Sequence, residues 1–173
     1  MGWSAIIGGR KTDKTGAALA VARALEAKGL RVGGFVQRDL HLPSGDHLAI
    51  DVERVDGAAR CTLARTTSTP ELCDYLFEPS GFAQAAAWAS EPCDVVVIGG
   101  VGKLEAARGG HFPVLERLAT AEGGPHVLAC VRDSCLSPVG LLLPDASEWL
   151  ELPCDDAALV RFAEALAERL PHR

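Results

Sequence analysis

At 173 residues, 48% hydrophobic and 23% charged, the chain has the size of one globular unit, residues 1–173, able to cover a sheet with helices on both faces. A formal net charge of −6 and a pI near 5.3 argue against a nucleic-acid partner, since no basic stripe appears outside Arg10, Lys11 and Lys14. No apolar run reaches the roughly 20 residues of a membrane span, and six cysteines without CxxC spacing, behind an N-terminus unlike a signal peptide, fit a reducing cytoplasmic compartment.

Strands and helices alternate along the chain. Ser4 to Ile7 reads as a short buried strand, Gly8 to Asp13 as a loop, and Lys14 to Lys28 as a helix of Ala and Leu at helical spacing that Gly29 ends. Arg31 to Arg38 is a second strand and His41 to Asp46 a turn. Leu48 to Val55 and Ala59 to Ala64, joined through Asp56 and Gly57, form a β-hairpin that interrupts the alternation. A helix over Pro79 to Ser90, opened by Ser80, precedes Asp94 to Ile98, a β-branched run of the kind buried on both faces of a parallel sheet. Then come a helix over Phe112 to Ala121, strands over His126 to Val131 and Trp149 to Leu152, and an amphipathic helix over Ala157 to Leu170. This order predicts a three-layer α/β sandwich of the P-loop NTPase type, mostly parallel, with an inserted β-hairpin and its ligands at the carboxyl ends of the strands.

The stretch GGRKTDKT, Gly8 to Thr15, carries the chemistry. The pattern GxxxxGK[ST] wraps backbone N–H groups around a phosphate, and here Asp13 stands where the last glycine belongs. Gly8, Gly9, Arg10, Lys11, Thr12, Asp13, Lys14 and Thr15 are the candidate nucleotide-binding residues. Lys14 would meet the terminal phosphates and the Thr15 hydroxyl would hold Mg²⁺, both at a helix N-terminus that favours an anion. Asp13 either repels the phosphate or caps the helix. After the central strand, the two places where such enzymes keep a Mg²⁺-holding acid and a water-activating glutamate are Gly99 and Gly100. Glu105 is the nearest acid and Lys103 the nearest cation, so Lys14, Glu105 and Lys103 are the catalytic candidates; a solvated loop or a helix start is the plain alternative for the last two.

Gln37, Arg38 and Asp39 should emerge at the same edge, Arg38 toward an anion and Asp39 toward a metal, with ordinary surface positions an equal reading. Asp51 and Glu53 share a face of the hairpin by period two, as a solvated face would. His41, His47, His111 and His126 lack metal-ligand spacing, and Trp3, Trp88 and Trp149 read as core or interface anchors. The cysteines read chiefly as small apolar packing residues, with Cys130 and Cys135 the nearest pair for a metal or redox role.

The order P-loop, GGFVQRD, hairpin, DVVVIGGVGKLEA, HFPVLERL, HVLACVRDS and ELPCDDAALVRFAEAL resembles the nucleoside-triphosphatase family related to the human cancer-related NTPase. Gly102 and Glu105 match that family's frame, whereas Gly99 and Gly100 replace its Asp-Glu pair. The departures resemble more closely a divergent bacterial branch of unknown function associated with molybdenum transport or molybdoenzymes, which keeps an element comparable to Gly102, Lys103 and Glu105. The resemblance implies ATP or GTP with Mg²⁺, or another phosphate-like anion, near Lys14 and Thr15, with weak or absent hydrolysis. It also implies a protein partner in a molybdenum pathway, and a homodimer is a further candidate association. Two other readings compete: a non-catalytic binding or regulatory module on a degenerate P-loop, and a small-molecule kinase or accessory GTPase, against which stands the lack of an NKxD motif.

Overall fold

Short apolar runs that bury both faces have to lie inside a sheet, and here they do. The computed structural model describes residues 2–9, 11–66, 75–141 and 148–170; Arg10 and Cys73 lie outside them. Eight strands form one sheet: β1 (Trp3–Gly8), β2 (Val32–His41), β3 (His47–Arg54), β4 (Arg60–Thr66), β5 (Tyr75–Phe77), β6 (Val95–Val101), β7 (His126–Arg132) and β8 (Glu148–Glu151). Their order is β5-β4-β3-β2-β6-β7-β1-β8. The half from β2 to β8 is parallel, and β3, β4 and β5 continue from β2 as an antiparallel wing.

Helices α1 (Lys14–Ala27), α2 (Pro79–Trp88), α3 (Lys103–Ala106), α4 (Phe112–Thr120) and α5 (Leu136–Gly140) lie between the strands in sequence, and α6 (Asp156–Arg169) follows β8. Alternation along β1 divides the core. Trp3, Ala5 and Ile7 join Trp88, Leu115 and Leu118 of α2 and α4 on one face, while Ile6 joins Val21 and Leu25 of α1 and Phe162 and Leu166 of α6 on the other. Val95 to Ile98 are fully buried, and side chains of this kind contribute roughly 1.5–3 kcal/mol each when removed from water. Helix α1 presents Ala17, Ala18, Val21, Ala22 and Leu25 as one inward stripe. Gly29, at φ 85°, lets the Leu30 N–H reach back to the Leu25 carbonyl and close that helix.

Several expectations need correction. The strand expected to stop at Ile98 runs to Val101, because Gly99 and Gly100 form a bulge against β7 rather than leaving the sheet. The second strand runs to His41, its far half being the partner of β3. Pro79 occupies the first turn of α2 after Glu78, so Ser80 does not open it. Asp51 and Glu53 are buried, at 8% and 9% exposure, not solvated: Arg38 and Arg60 both donate to Glu53, while Asp51 Oδ1 has no hydrogen-bond partner among the described residues. Strand β5 and the short helix α5 were not expected, whereas α3 begins at Lys103, where a helix start was one of the readings. Trp3 and Trp88 are core residues, and the half-exposed Trp149 meets Trp3 edge-on at 5.8 Å. Cys130 and Cys135 are buried and Cys61, Cys93 and Cys154 half-buried, all as free thiols.

Candidate phosphate-binding site

The parallel strands end at one edge, where the chain between β1 and α1 turns sharply. Gly8 permits this turn: a Cβ there would stand 2.2 Å from Thr12 Oγ1. Thr12 Oγ1 donates to the Gly9 carbonyl at 2.9 Å. The Lys14 ammonium folds back over the loop and donates to the carbonyls of Gly8 at 3.0 Å and Gly9 at 2.7 Å. Burial pushes its pKa down, against the opposing pull of Asp133 and Asp39. Asp13 resolves toward the cap: its Oδ1 accepts from the Gly16 N–H at 2.8 Å at the start of α1. Thr15 Oγ1 donates to the Gln37 carbonyl at 2.6 Å, tying the start of α1 to β2. Lys11 is exposed, and Arg10 lies outside the described residues.

From this loop a crevice of about 680 Å³ runs across the carboxyl edge toward the wing. Lys14, Thr15, Asp39, Lys103 and Arg132 line its polar side, and Leu40, His47, Ile50 and Tyr75 its far end. Gln37 and Arg38 also face it, though Arg38 is committed to Glu53, which its guanidinium holds below the usual carboxylate range. Tyr75 and Arg132 were not singled out from the sequence, and His47 and Cys130, which were, had not been placed at this edge. Arg132 was within reach, since it is the first charged residue after the buried run of β7, in the same relation to its strand as Gln37 to β2. Tyr75 stands on β5, which no local pattern announced.

Beside the crevice, β6 comes so close to β2 that backbone fills the place of a side chain at Gly99, and the Gln37 amide fills that at Gly100. A Cβ on Gly99 would stand 2.5 Å from Val36 Cα, and one on Gly100, at φ 77°, 1.9 Å from Gln37 Oε1. Gln37 Nε2 meets His111 Nε2 at 3.0 Å, a contact that requires the amide to donate and puts the ring proton on Nδ1. That Nδ1 has no partner among the described residues. Burial between Phe35 and Phe82 pushes the His111 pKa down to about 4.

Glu105 is 2% exposed. Its Oε2 accepts from the Gly102 N–H and its Oε1 from the His111 N–H, each at 2.9 Å. Burial raises its pKa and these bonds oppose the rise. The carboxylate thus faces backbone instead of lining the crevice, while Lys103, two residues earlier, lines it.

The Thr15 hydroxyl spends its hydrogen on Gln37 and keeps its lone pairs. A small hard cation takes one or two protein oxygens and fills its shell with phosphate and water, so this donor set fits Mg²⁺. The surrounding cations suit an anion with several charged oxygens.

A model of a family of unknown function, DUF2478, matches residues 4–168. The chain belongs to the DUF2478 family. No curated protein sequence matches it. Two solved structures resemble this DUF2478 fold over nearly all of both chains. The solution structure of a human cancer-related nucleoside triphosphatase has a TM-score of 0.73 at 16% identity, covering 99% of this chain and 100% of its own. The crystal structure of THEP1 from the hyperthermophile Aquifex aeolicus has a TM-score of 0.68 at 18% identity, covering 96% and 99%. At such identities the likeness establishes the DUF2478 fold as that of an NTPase-like α/β protein. No helix among the described residues is long and apolar enough to cross a membrane.

Proposed function

We propose that this DUF2478 protein binds a nucleoside triphosphate, ATP or GTP, with Mg²⁺ at Gly8 to Thr15, and hydrolyses it slowly or not at all. The observation that carries this reading is the Lys14 ammonium poised over the Gly8 and Gly9 carbonyls at the N-terminus of α1, beside the Asp13 cap. A phosphate oxygen entering there would exchange those carbonyls for a better partner. Loop N–H groups, Lys14, Lys103 and Arg132 would share the phosphate charge, and Thr15 would hold the metal. Bound Mg²⁺ would polarise the phosphoryl oxygens.

Slow turnover is the expected consequence of closing the usual acid positions. Gly99 has no room for a carboxylate, a side chain at Gly100 (φ 77°) would be strained and would displace the Gln37 amide, and Glu105 has both oxygens engaged. We assign Glu105 to positioning the turn around α3 rather than to orienting water. These same observations favour a second reading, a non-catalytic binding or regulatory module on a degenerate P-loop. A role in molybdenum uptake or molybdoenzyme maturation is the pathway the family resemblance suggests, and loss of molybdoenzyme activity on deletion of the gene would be its test.

Thermal stability with and without ATP, GTP, ADP and Mg²⁺ decides between the first two. A ligand at 100 times its Kd stabilises by about 2.7 kcal/mol, which raises Tm by roughly 5–10 °C for a chain of this length. The shift should vanish in Lys14→Ala. No shift at millimolar nucleotide supports the module reading.

A further inference from the structure

Resting on the nucleotide reading above, we propose that Asp39, on β2, anchors the water shell of the phosphate-bound Mg²⁺, doing from the neighbouring strand what a carboxylate at Gly99 would do from β6. Three placements carry this. The Thr15 hydroxyl is bonded to the Gln37 carbonyl, so the metal-holding oxygen of the P-loop sits against β2 itself. Two residues of strand advance about 7 Å, which puts Asp39 a water-bridged step beyond that bond. Asp39 lines the crevice with Lys14 and Thr15, and its negative charge is felt at Lys14.

The position on β6 is closed by backbone. Val36 Cα and Gln37 N would stand 2.5 and 2.8 Å from a Gly99 Cβ, so the approach of β2 that excludes an acid from β6 is the same approach that delivers Asp39. Arg38 does not neutralise Asp39, because it is held by Glu53. Asp39 itself makes no hydrogen bond or ion pair among the described residues, which leaves its oxygens available to metal-bound water. Asp13, the other carboxylate of the crevice, caps α1. Asp133 is the competing group: it also acts on Lys14, but one oxygen holds the Ser134 N–H and the other lies toward Gly9, away from the crevice lining. Mg²⁺ bound through one or two protein oxygens, phosphate and several waters is the form this small ion ordinarily takes.

The test titrates ATP and GTP into wild type, Asp39→Asn and Asp133→Asn by calorimetry, once in EDTA and once in Mg²⁺, with Tm of the unliganded proteins as the check on folding. Removal of an outer-sphere partner costs at least about tenfold in metal affinity. Asp39→Asn should therefore lose tenfold or more of the Mg²⁺-dependent gain in nucleotide affinity. Its affinity in EDTA should be unchanged or higher, since one like charge is gone. Asp133→Asn should keep the gain. The proposal is overturned if Asp39→Asn retains the full Mg²⁺-dependent gain, or if Asp133→Asn loses it instead; nucleotide binding itself survives in both cases. Absence of binding by wild type in both conditions overturns the nucleotide reading and this assignment together.

Discussion

Gly99→Ala is the perturbation that probes the closed acid position most directly. The added Cβ would stand 2.5 Å from Val36 Cα, 2.8 Å from Gln37 N and 3.0 Å from the Val36 carbonyl carbon. All three are backbone atoms of β2, which the register Val32 to Phe35 against Val95 to Ile98 holds in place. No rotamer change relieves such an overlap, so the two strands must part locally. Forcing one extra methyl into a packed interior costs typically 1–3 kcal/mol, and an overlap with main chain belongs at the upper end. For a chain of this length that is a Tm loss of roughly 5–10 °C.

Gly102→Ala, three residues on, is the control: its Cβ would meet nothing within 4 Å, and the expected change is about 1 kcal/mol or less, the cost of alanine for glycine at the N-cap of α3. Urea unfolding followed by far-UV circular dichroism measures both. Gly99→Ala as stable as Gly102→Ala would refute the close approach of β2 and β6. The claim that a carboxylate is sterically barred from this place would fall with it.

Two further outcomes follow from the buried polar groups. Glu105→Gln keeps the shape but turns one accepting oxygen into a donor that faces the Gly102 or His111 N–H, so it should destabilise by about 1–3 kcal/mol. Any residual NTPase rate at a temperature where the variant is folded should stay within a few-fold of wild type; a loss near 100-fold would return Glu105 to a water-orienting role. His111 and His126 are both held down to about pKa 4 by burial. Each is neutral in the fold while the unfolded chain takes up a proton below about 6.5, so its stabilising contribution is present above pH 6.5 and is lost as pH falls toward 4. At 1.36 kcal/mol per pKa unit the loss is on the order of 3 kcal/mol for each. His126→Gln, which can keep a hydrogen bond to Ser4, should flatten the fall in unfolding free energy between pH 7 and 4.

Local chemistry was legible in the sequence to within a few residues. The buried run DVVVI, the Ala- and Leu-rich α1 closed by Gly29 and the hairpin through Asp56 and Gly57 announce themselves through periods and turn residues that act over four or five positions. The strand–loop–helix frame around Lys14 and Thr15 is likewise a local statement. Strand neighbours are different, because they depend on contacts between segments dozens of residues apart. Glu53 read as a solvated acid until β2 and β4 brought Arg38 and Arg60 to it, and Glu105 read as a catalytic or solvated acid until the Gly102 and His111 amides enclosed it. The sequence alone determined that two glycines follow the DVVVI run; only the packing of β6 on β2 decided that no side chain could stand at Gly99, since that depends on a distance between backbones that no local pattern encodes.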